Sequence, residues 1–221
     1  MSANVAPNIV RNGLVLELDA ANTKSYPGTG TSWTDLTANA YNGTLTNGPT
    51  FNSGNGGSIV FDGTNDYILT TYLPGTITQQ TIGCWINKLN TQYSFILADS
   101  SLYFGFEIYP TTIYVNINND KYGQVSYDIN GWQNIVFTYD GSQPDNPTRL
   151  KIYLNGNIQT PCYTGTIPNS VSNIPAINIG RRWWSTIYSQ GKIAQTSIYN
   201  RALSATEVLQ NYNALKSRFG L

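Results

Sequence analysis

The chain contains no histidine. That absence removes Ser-His-Asp and Cys-His nucleophilic catalysis and His-ligated zinc together. Cysteine is almost as scarce: Cys84 lies in the apolar run TIGCWIN and Cys162 follows Pro161. A disulfide-built scaffold would carry more cysteines at regular spacing, so free thiols are expected, with a single bridge as the alternative. Charge is thin as well, at 11% of residues with 12 of each sign, and no basic run exceeds Arg181-Arg182. Counterion-release binding needs clustered cations, so no nucleic-acid partner is expected. No apolar run approaches the roughly 20 residues of a membrane helix, so no membrane insertion is expected. The opening MSANVAPNIVRNG has neither a basic n-region nor an apolar h-region, and no signal peptide is read there.

What remains is a neutral chain rich in aromatic and small polar residues. The 40% hydrophobic share is ample for a core, and the low charge argues against disorder. At 221 residues the chain fits one β-sandwich domain, since such folds run to about 200–250 residues as a single unit. Asn, Thr, Ser, Gln and Gly fill the loops. They offer dense hydrogen bonding without a strong field, which suits neutral polar ligands or another protein.

The stretch SIVFDGTNDYIL, Ser58 to Leu69, reads as strand, tight turn, strand. Asp62-Gly63 tolerates positive φ, and Asn and Asp side chains bond their own backbone in such turns. Asp62 and Asp66 are also the best metal candidates in the chain. They either cap turn amides or, with Asp19, contribute to a calcium site.

Residues 1–12 read as an irregular arm, and residues 13–221 as one domain. A first strand is expected at Leu14–Leu18, and the turn-rich passage 23–57 should be pinned to the core by Trp33, Leu36, Leu45 and Phe51. Period-two strands then follow at Thr81–Lys88, Tyr93–Ala98, Leu102–Tyr109, Thr112–Asn118, Gln124–Ser126, Trp132–Tyr139, Arg149–Leu154, Asn157–Thr160, Ala176–Gly180 and Lys192–Tyr199. Asn155-Gly156 is a two-residue hairpin signal. Trp85 and Trp132 sit in alternating strands and are assigned to the core; Tyr103, Tyr109 and Tyr114 fit cross-strand pairs. Near the end, Ser204-Ala205-Thr206-Glu207 fits a capping box. Val208, Tyr212, Leu215 and Phe219 then recur at helical spacing, giving a helix over 204–218 that docks on the sandwich. Many short antiparallel strands with regular turns, followed by one short helix, point to an all-β sandwich or barrel.

Seven pieces carry a family resemblance, in order: LELDAANTKSYPGTGTSWTDL with NGTL, SIVFDGTNDYI, TIGCWIN, GWQNIVFTYDG, LKIYLNGN, INIGR and GKIAQTSIYNRALSATEV. The chain resembles the laminin-G-like, concanavalin A-like lectin/glucanase jelly-roll domain. Its ending, IYNRALSATEVLQNYNALKSRFGL, resembles the version seen in bacteriophage virion proteins. The resemblance implies an all-β, two-sheet antiparallel jelly-roll sandwich with one short C-terminal helix, in a superfamily holding lectins, carbohydrate-binding modules, adhesive domains and glycoside hydrolases or lyases. Many relatives carry two acids where this chain has Ala194 and Gln195, so a calcium ligand that a relative places there is absent.

Fold does not choose among those functions. Glycoside hydrolysis usually needs two facing carboxyl groups roughly 5–10 Å apart. The chain has only Glu17, Glu107 and Glu207 as glutamates, without the E-x-D-x-x-E strand pattern of sandwich glucanases. Glu107 alone lies in a long strand, and Glu207 belongs to the capping box. No enzyme activity is expected. Carbohydrate recognition uses flat aromatic faces beside planar polar groups, and the densest such cluster runs from Arg181 to Tyr188. Arg182, Trp183, Trp184 and Tyr188 are the candidate carbohydrate-binding residues; the alternative is that one Trp plugs the sandwich while the arginines stack on the other. The expectation is a non-enzymatic glycan-binding or adhesion module of a phage virion, made in the host cytoplasm. Its partners would be surface glycans or other virion proteins, with homo-oligomer formation open. The alternatives are a decoration or assembly protein without glycan binding, a hydrolase or lyase, and a bacterial-surface or secreted location.

Overall fold

A computed structural model describes residues 7–88, 94–99, 104–118, 120–128, 131–181 and 187–221. The strands in chain order are β1 (Leu14–Asp19), β2 (Ser32–Trp33), β3 (Gly43–Thr46), β4 (Thr50–Asn52), β5 (Ser58–Asp62), β6 (Tyr67–Thr70), β7 (Gly75–Ile77), β8 (Gln79–Lys88), β9 (Ser94–Asp99) and β10 (Gly105–Ile108). They continue with β11 (Thr112–Asn118), β12 (Lys121–Ser126), β13 (Trp132–Asp140), β14 (Leu150–Leu154), β15 (Asn157–Ile158), β16 (Cys162–Thr164), β17 (Val171–Ile174), β18 (Ile177–Ile179) and β19 (Gln190–Tyr199). One helical turn, α1 (Asn146–Arg149), precedes β14, and α2 (Ala205–Leu215) runs into a 3-10 turn at Lys216–Phe219.

Two antiparallel sheets carry the fold, as the sequence pattern implies. The eight-stranded sheet has the order β15-β14-β13-β8-β19-β5-β4, with β1 also paired to β19. The nine-stranded sheet has the order β16-β12-β11-β10-β9-β18-β6-β3-β2. Period-two alternation sends Ile82, Cys84 and Ile86 of β8 inward, against Ile113, Val115 and Ile117 of β11 in the same apolar cluster. Phe106 of β10 meets Phe137 of β13 edge-on across the layers, centroids 4.9 Å apart. The Asn155-Gly156 hairpin forms as its sequence requires, with φ of 50° and 76° at the two turn residues. Both cysteines are free; Cys84 is buried and Cys162 exposed.

The C-terminal helix is built as read. The Ser204 hydroxyl accepts from the Glu207 amide, and the Glu207 carboxylate accepts from the Ser204 amide at 2.9 Å. Gly220 ends the following turn at φ 75°. Val208, Tyr212 and Phe219 face the eight-stranded sheet's outer side. There Trp85 stacks between Phe219 at 4.2 Å and Tyr212 at 5.6 Å. Trp85 is therefore core as expected, but outside the inter-sheet layer. Trp132 is partly buried beside it and donates to Asn55 Oδ1. A bulge in β19 sets Ala194 and Gln195 against Trp85. Ala194 is fully buried beneath the helix turn with Trp85 and Phe219. A charged side chain at this position would be desolvated beneath the terminal turn, whereas alanine is not.

One expectation needs correction. Trp33 and Leu45 are core residues and Phe51 packs on it, but Leu36 faces a surface cleft instead. Over residues 7–12 the arm has no helix or strand, and it is tied to the helix and to β19. The Val10 amide donates to Asn211 Oδ1 at 2.7 Å, Tyr199 Oη donates to the Val10 carbonyl at 3.0 Å, and Gln210 Nε2 donates to the Asn8 carbonyl at 2.8 Å. Expected strand positions from residues 89–93 and 100–103 lie outside the described residues.

Two measurements check this helix. Phe219→Ala should cost about 3 kcal/mol or more in urea unfolding, because a buried aromatic sandwiching Trp85 is removed. The Glu207 carboxyl is held down to about 2, first by the bidentate Arg201 hydrogen bonds and against its burial. A depressed carboxyl stabilises the folded state fully above its unfolded value and loses that contribution as pH falls. Stability should drop between about pH 4.5 and about pH 2, and Glu207→Gln should flatten that slope.

Candidate functional site

The two sheets offer different outer faces. That of the eight-stranded sheet is covered where α2 and the terminal turn lie on Trp85, Val136, Tyr153 and Tyr199. On the nine-stranded sheet, register aligns Thr44, Leu69, Asn178, Ala98, Gly105, Asn116, Tyr122 and Thr164 in one transverse row across eight strands. Its two smallest residues, Ala98 and Gly105, are flanked by the amides of Asn178 and Asn116. Asn178 is almost fully buried and its Oδ1 has no hydrogen-bond partner. The next row holds Glu107, Tyr114 and Gln124.

Aromatic rings extend this face. Tyr109 and Tyr114 have centroids 4.6 Å apart, and Tyr114 and Tyr122 5.2 Å. All three are half-buried, so part of each ring reaches solvent. Contacts between neighbouring strands were expected for Tyr109 and Tyr114, Tyr103 lies outside the described residues, and Tyr122 extends the pair into a tyrosine ladder on the outer face. Glu107 is buried and accepts from Tyr109 Oη at 3.2 Å. Alternation alone could not show that Glu107 points away from the core that Phe106 and Ile108 enter.

One rim of the sandwich gathers the loops. Asp62 pairs with Gln190, Gly191 with Lys88, Asn87 with Trp132, and Ile108 with both Ser94 and Ile113. The connections after β5, β8, β10 and β18 therefore emerge at the same end. Lys88 closes the core there: its buried ammonium donates to the Tyr109 carbonyl at 3.2 Å, and burial pushes its pKa down to about 8.

The candidate carbohydrate loop springs from this rim. Arg181 and Tyr188 form an isolated antiparallel bridge at its base, and the Ser189 amide donates to the Gly180 carbonyl. Gly180 sits at φ 91°, where a Cβ would lie 2.5 Å from the Phe61 ring. Only glycine fits that conformation and contact, so the base is fixed. The Arg181 guanidinium lies 3.6 Å from the Tyr67 ring centroid, a cation–π contact. Arg182, Trp183 and Trp184 lie outside the described residues; Tyr188 is half-buried at the base. The base itself thus places Tyr188, Arg181 and Tyr67 together. Sequence reading missed Tyr67, whose signal was its place two residues before Leu69 on the outward side of β6.

The calcium candidates do other work. Asp62 Oδ1 accepts from the Thr64 amide at 2.7 Å, and Asp66 Oδ2 accepts from the Asp62 amide at 3.0 Å. Asp66 is buried, and that burial raises its pKa. Asp19 bonds Arg218 Nη1 at 2.7 Å, along β1 away from the turn. Among the described residues no three Asp, Glu or Cys side chains come together as metal ligands. The turn-capping arrangement is the one seen. The turn joins β5 of one sheet to β6 of the other, so it ties the layers together.

With this geometry in view, the comparisons are consistent. The profile of the concanavalin A-like lectin/glucanases superfamily matches residues 62–209, and the chain belongs to that superfamily. No curated protein matches the sequence. Among solved structures, domain 4 of AbnA, a GH43 extracellular arabinanase from Geobacillus stearothermophilus in complex with arabinotriose, superposes with a TM-score of 0.66 at 16% identity, covering 92% of this chain and 100% of that one. Botulinum neurotoxin type C, which depends on two ganglioside molecules to get into cells, gives 0.68 at 13%, covering 92% of this chain and 51% of that one. Trypanosoma rangeli sialidase in complex with sialic acid gives 0.63 at 14%, covering 98% and 36%. The chain thus spans about half of the toxin chain and about a third of the sialidase chain. At these identities the likeness establishes the fold.

Asp62→Ala should lower stability by about 1 kcal/mol through the lost turn cap. The loss should be the same in calcium and in chelator; a loss confined to calcium would show a metal site instead.

Proposed function

We propose that this domain is a non-enzymatic carbohydrate-binding module that contacts surface glycans through the outer face of the nine-stranded sheet and the 181–188 loop. The observation that carries the reading is the outward tyrosine ladder of Tyr109, Tyr114 and Tyr122, on the same sheet as Tyr67 with its stacked Arg181. Flat ring faces pack on the C–H faces of sugars, while amides and a guanidinium supply directional hydrogen bonds. Trp183 and Trp184 follow Arg181 in the chain and are included in this reading as further ring-bearing residues. The gangliosides, sialic acid and arabinotriose of the structural neighbours support the ligand class.

In this reading Glu107 serves as a polar contact for the ligand, not as one of the paired carboxyl groups, roughly 5–10 Å apart, that glycosidic cleavage usually takes. The phage-like ending supports a place on a virion surface, where the domain would attach a particle to its host. A second reading, assembly without glycan binding, is favoured by Ile158 and Leu209, both exposed, at the β15 edge of the eight-stranded sheet.

Glycan-array binding of the purified protein, run with calcium and again with chelator, tests this. Specific binding is expected in both conditions. Trp183→Ala/Trp184→Ala should abolish it with melting nearly unchanged, and Tyr114→Ala should weaken it about tenfold, or about 1.4 kcal/mol. Absence of binding on every glycan, together with concentration-dependent oligomers, would replace this reading with the assembly role.

A further inference from the structure

On the opposite side of the molecule, the N-terminal arm, β1 and the end of α2 enclose a cleft of about 370 Å³. That size lies within the range of small-ligand sites, about 300–1,000 Å³. We infer that this cleft is a second carbohydrate site, for a neutral sugar unit, built on Glu17 and Asp19. It lies on the eight-stranded sheet and stands or falls separately from the site proposed above.

Glu17 and Asp19 are two apart on β1, so both project from the outer side of the sheet. Leu16 and Leu18 between and beside them enter the core. The helix α2 ends at Leu215, which forms one wall, and both acids line the cleft beyond it. The opposite wall is the arm, held in place by its bonds to Tyr199, Gln210 and Asn211.

Each acid is half engaged. Arg11 bonds Glu17 Oε2. Arg218 Nη1 and the Ala21 amide bond Asp19 Oδ1 at 2.7 and 2.9 Å. Among the described residues no hydrogen bond engages Glu17 Oε1 or Asp19 Oδ2. The Glu17 side chain is only 8% exposed, and burial raises its pKa despite Arg11. The second oxygen of each carboxylate is open to the cleft, where it can accept a charge-assisted hydrogen bond from a donor brought to it.

The balance of charge selects the ligand. Glu17 is paired with Arg11, which lines the cleft, and Asp19 with Arg218 beside it, so the cleft carries little net charge. An ion gains little there. Sugar hydroxyls, by contrast, can donate to the two free carboxylate oxygens and accept from the Asn22 amide, which is exposed and lines the cleft. Leu36 and Leu215 supply apolar surface for a C–H face. This also explains why Leu36 leaves the core that the sequence assigned it to.

The test is amide chemical-shift mapping on the full ¹⁵N-labelled chain, titrated separately with D-galactose, D-glucose, N-acetyl-D-glucosamine and L-arabinose, and with arginine hydrochloride as an ionic probe. At least one sugar should shift the amides of Ala21, Asn22, Leu36 and Leu215. The shifts should persist in Trp183→Ala/Trp184→Ala/Tyr114→Ala, and Leu36→Trp, which fills the cleft, should abolish them. Asn22→Ala, at an exposed position, should weaken the same sugar about tenfold while its spectrum stays folded, so the outcome does not hang on Leu36→Trp. No shift at these amides with any sugar would overturn the inference. So would a response to arginine alone. Shifts confined to the nine-stranded sheet and lost in the triple variant would overturn this site while upholding the first.

Discussion

The stacking of Trp85 between Phe219 and Tyr212 decides which face of the sandwich is spent on stability. A two-sheet sandwich has two outer faces, and a chain of this polarity cannot leave both apolar. Here the C-terminal helix and its 3-10 turn take the eight-stranded face, aided by the β19 bulge that tucks Ala194 beneath them. Arg218 secures the end of the chain, donating to the Asn55 and Gly57 carbonyls and pairing with Asp19. The nine-stranded face is then left to carry tyrosines, amides and Glu107.

The rim follows from the same layering. Strands that run from one sheet to the other must cross at an end, and β5–β6 and β18–β19 cross side by side. The DGTND turn spends its carboxylates on backbone amides, which rigidifies one crossing. Gly180 rigidifies the next by bringing backbone against Phe61. The aromatic loop therefore starts from a fixed base, and a fixed base lowers the ordering cost of binding.

Much of the fold was legible. Period-two alternation, the Asn155-Gly156 hairpin and the Ser204–Glu207 capping box are local, and each is found where the residues place it. Trp85 was read as buried correctly, but the layer that buries it was not readable, because alternation tells inside from outside only after the partner face is known. Leu36 failed for the same reason. An isolated apolar residue in a loop looks like an anchor until the groups around it are in place. In the candidate site, Tyr109 and Tyr114 were read as fitting cross-strand pairs, while Tyr67, Asn178 and the run of rings to Tyr122 were not foreseen, since they meet only through strand register.

The sequence by itself determined the class of fold, the start and end of the helix and the tight turns, because these depend on neighbours a few residues away. It also determined that any site must work without histidine and with few carboxylates. Only the tertiary structure decided which sheet face the helix covers, that Asp62 and Asp66 cap their turn while Asp19 pairs with Arg218, and that Glu17, Asn22 and Leu36 share a cleft. Those outcomes depend on contacts between residues far apart in the chain, such as Asp19 with Arg218, and no local pattern encodes which distant group will arrive.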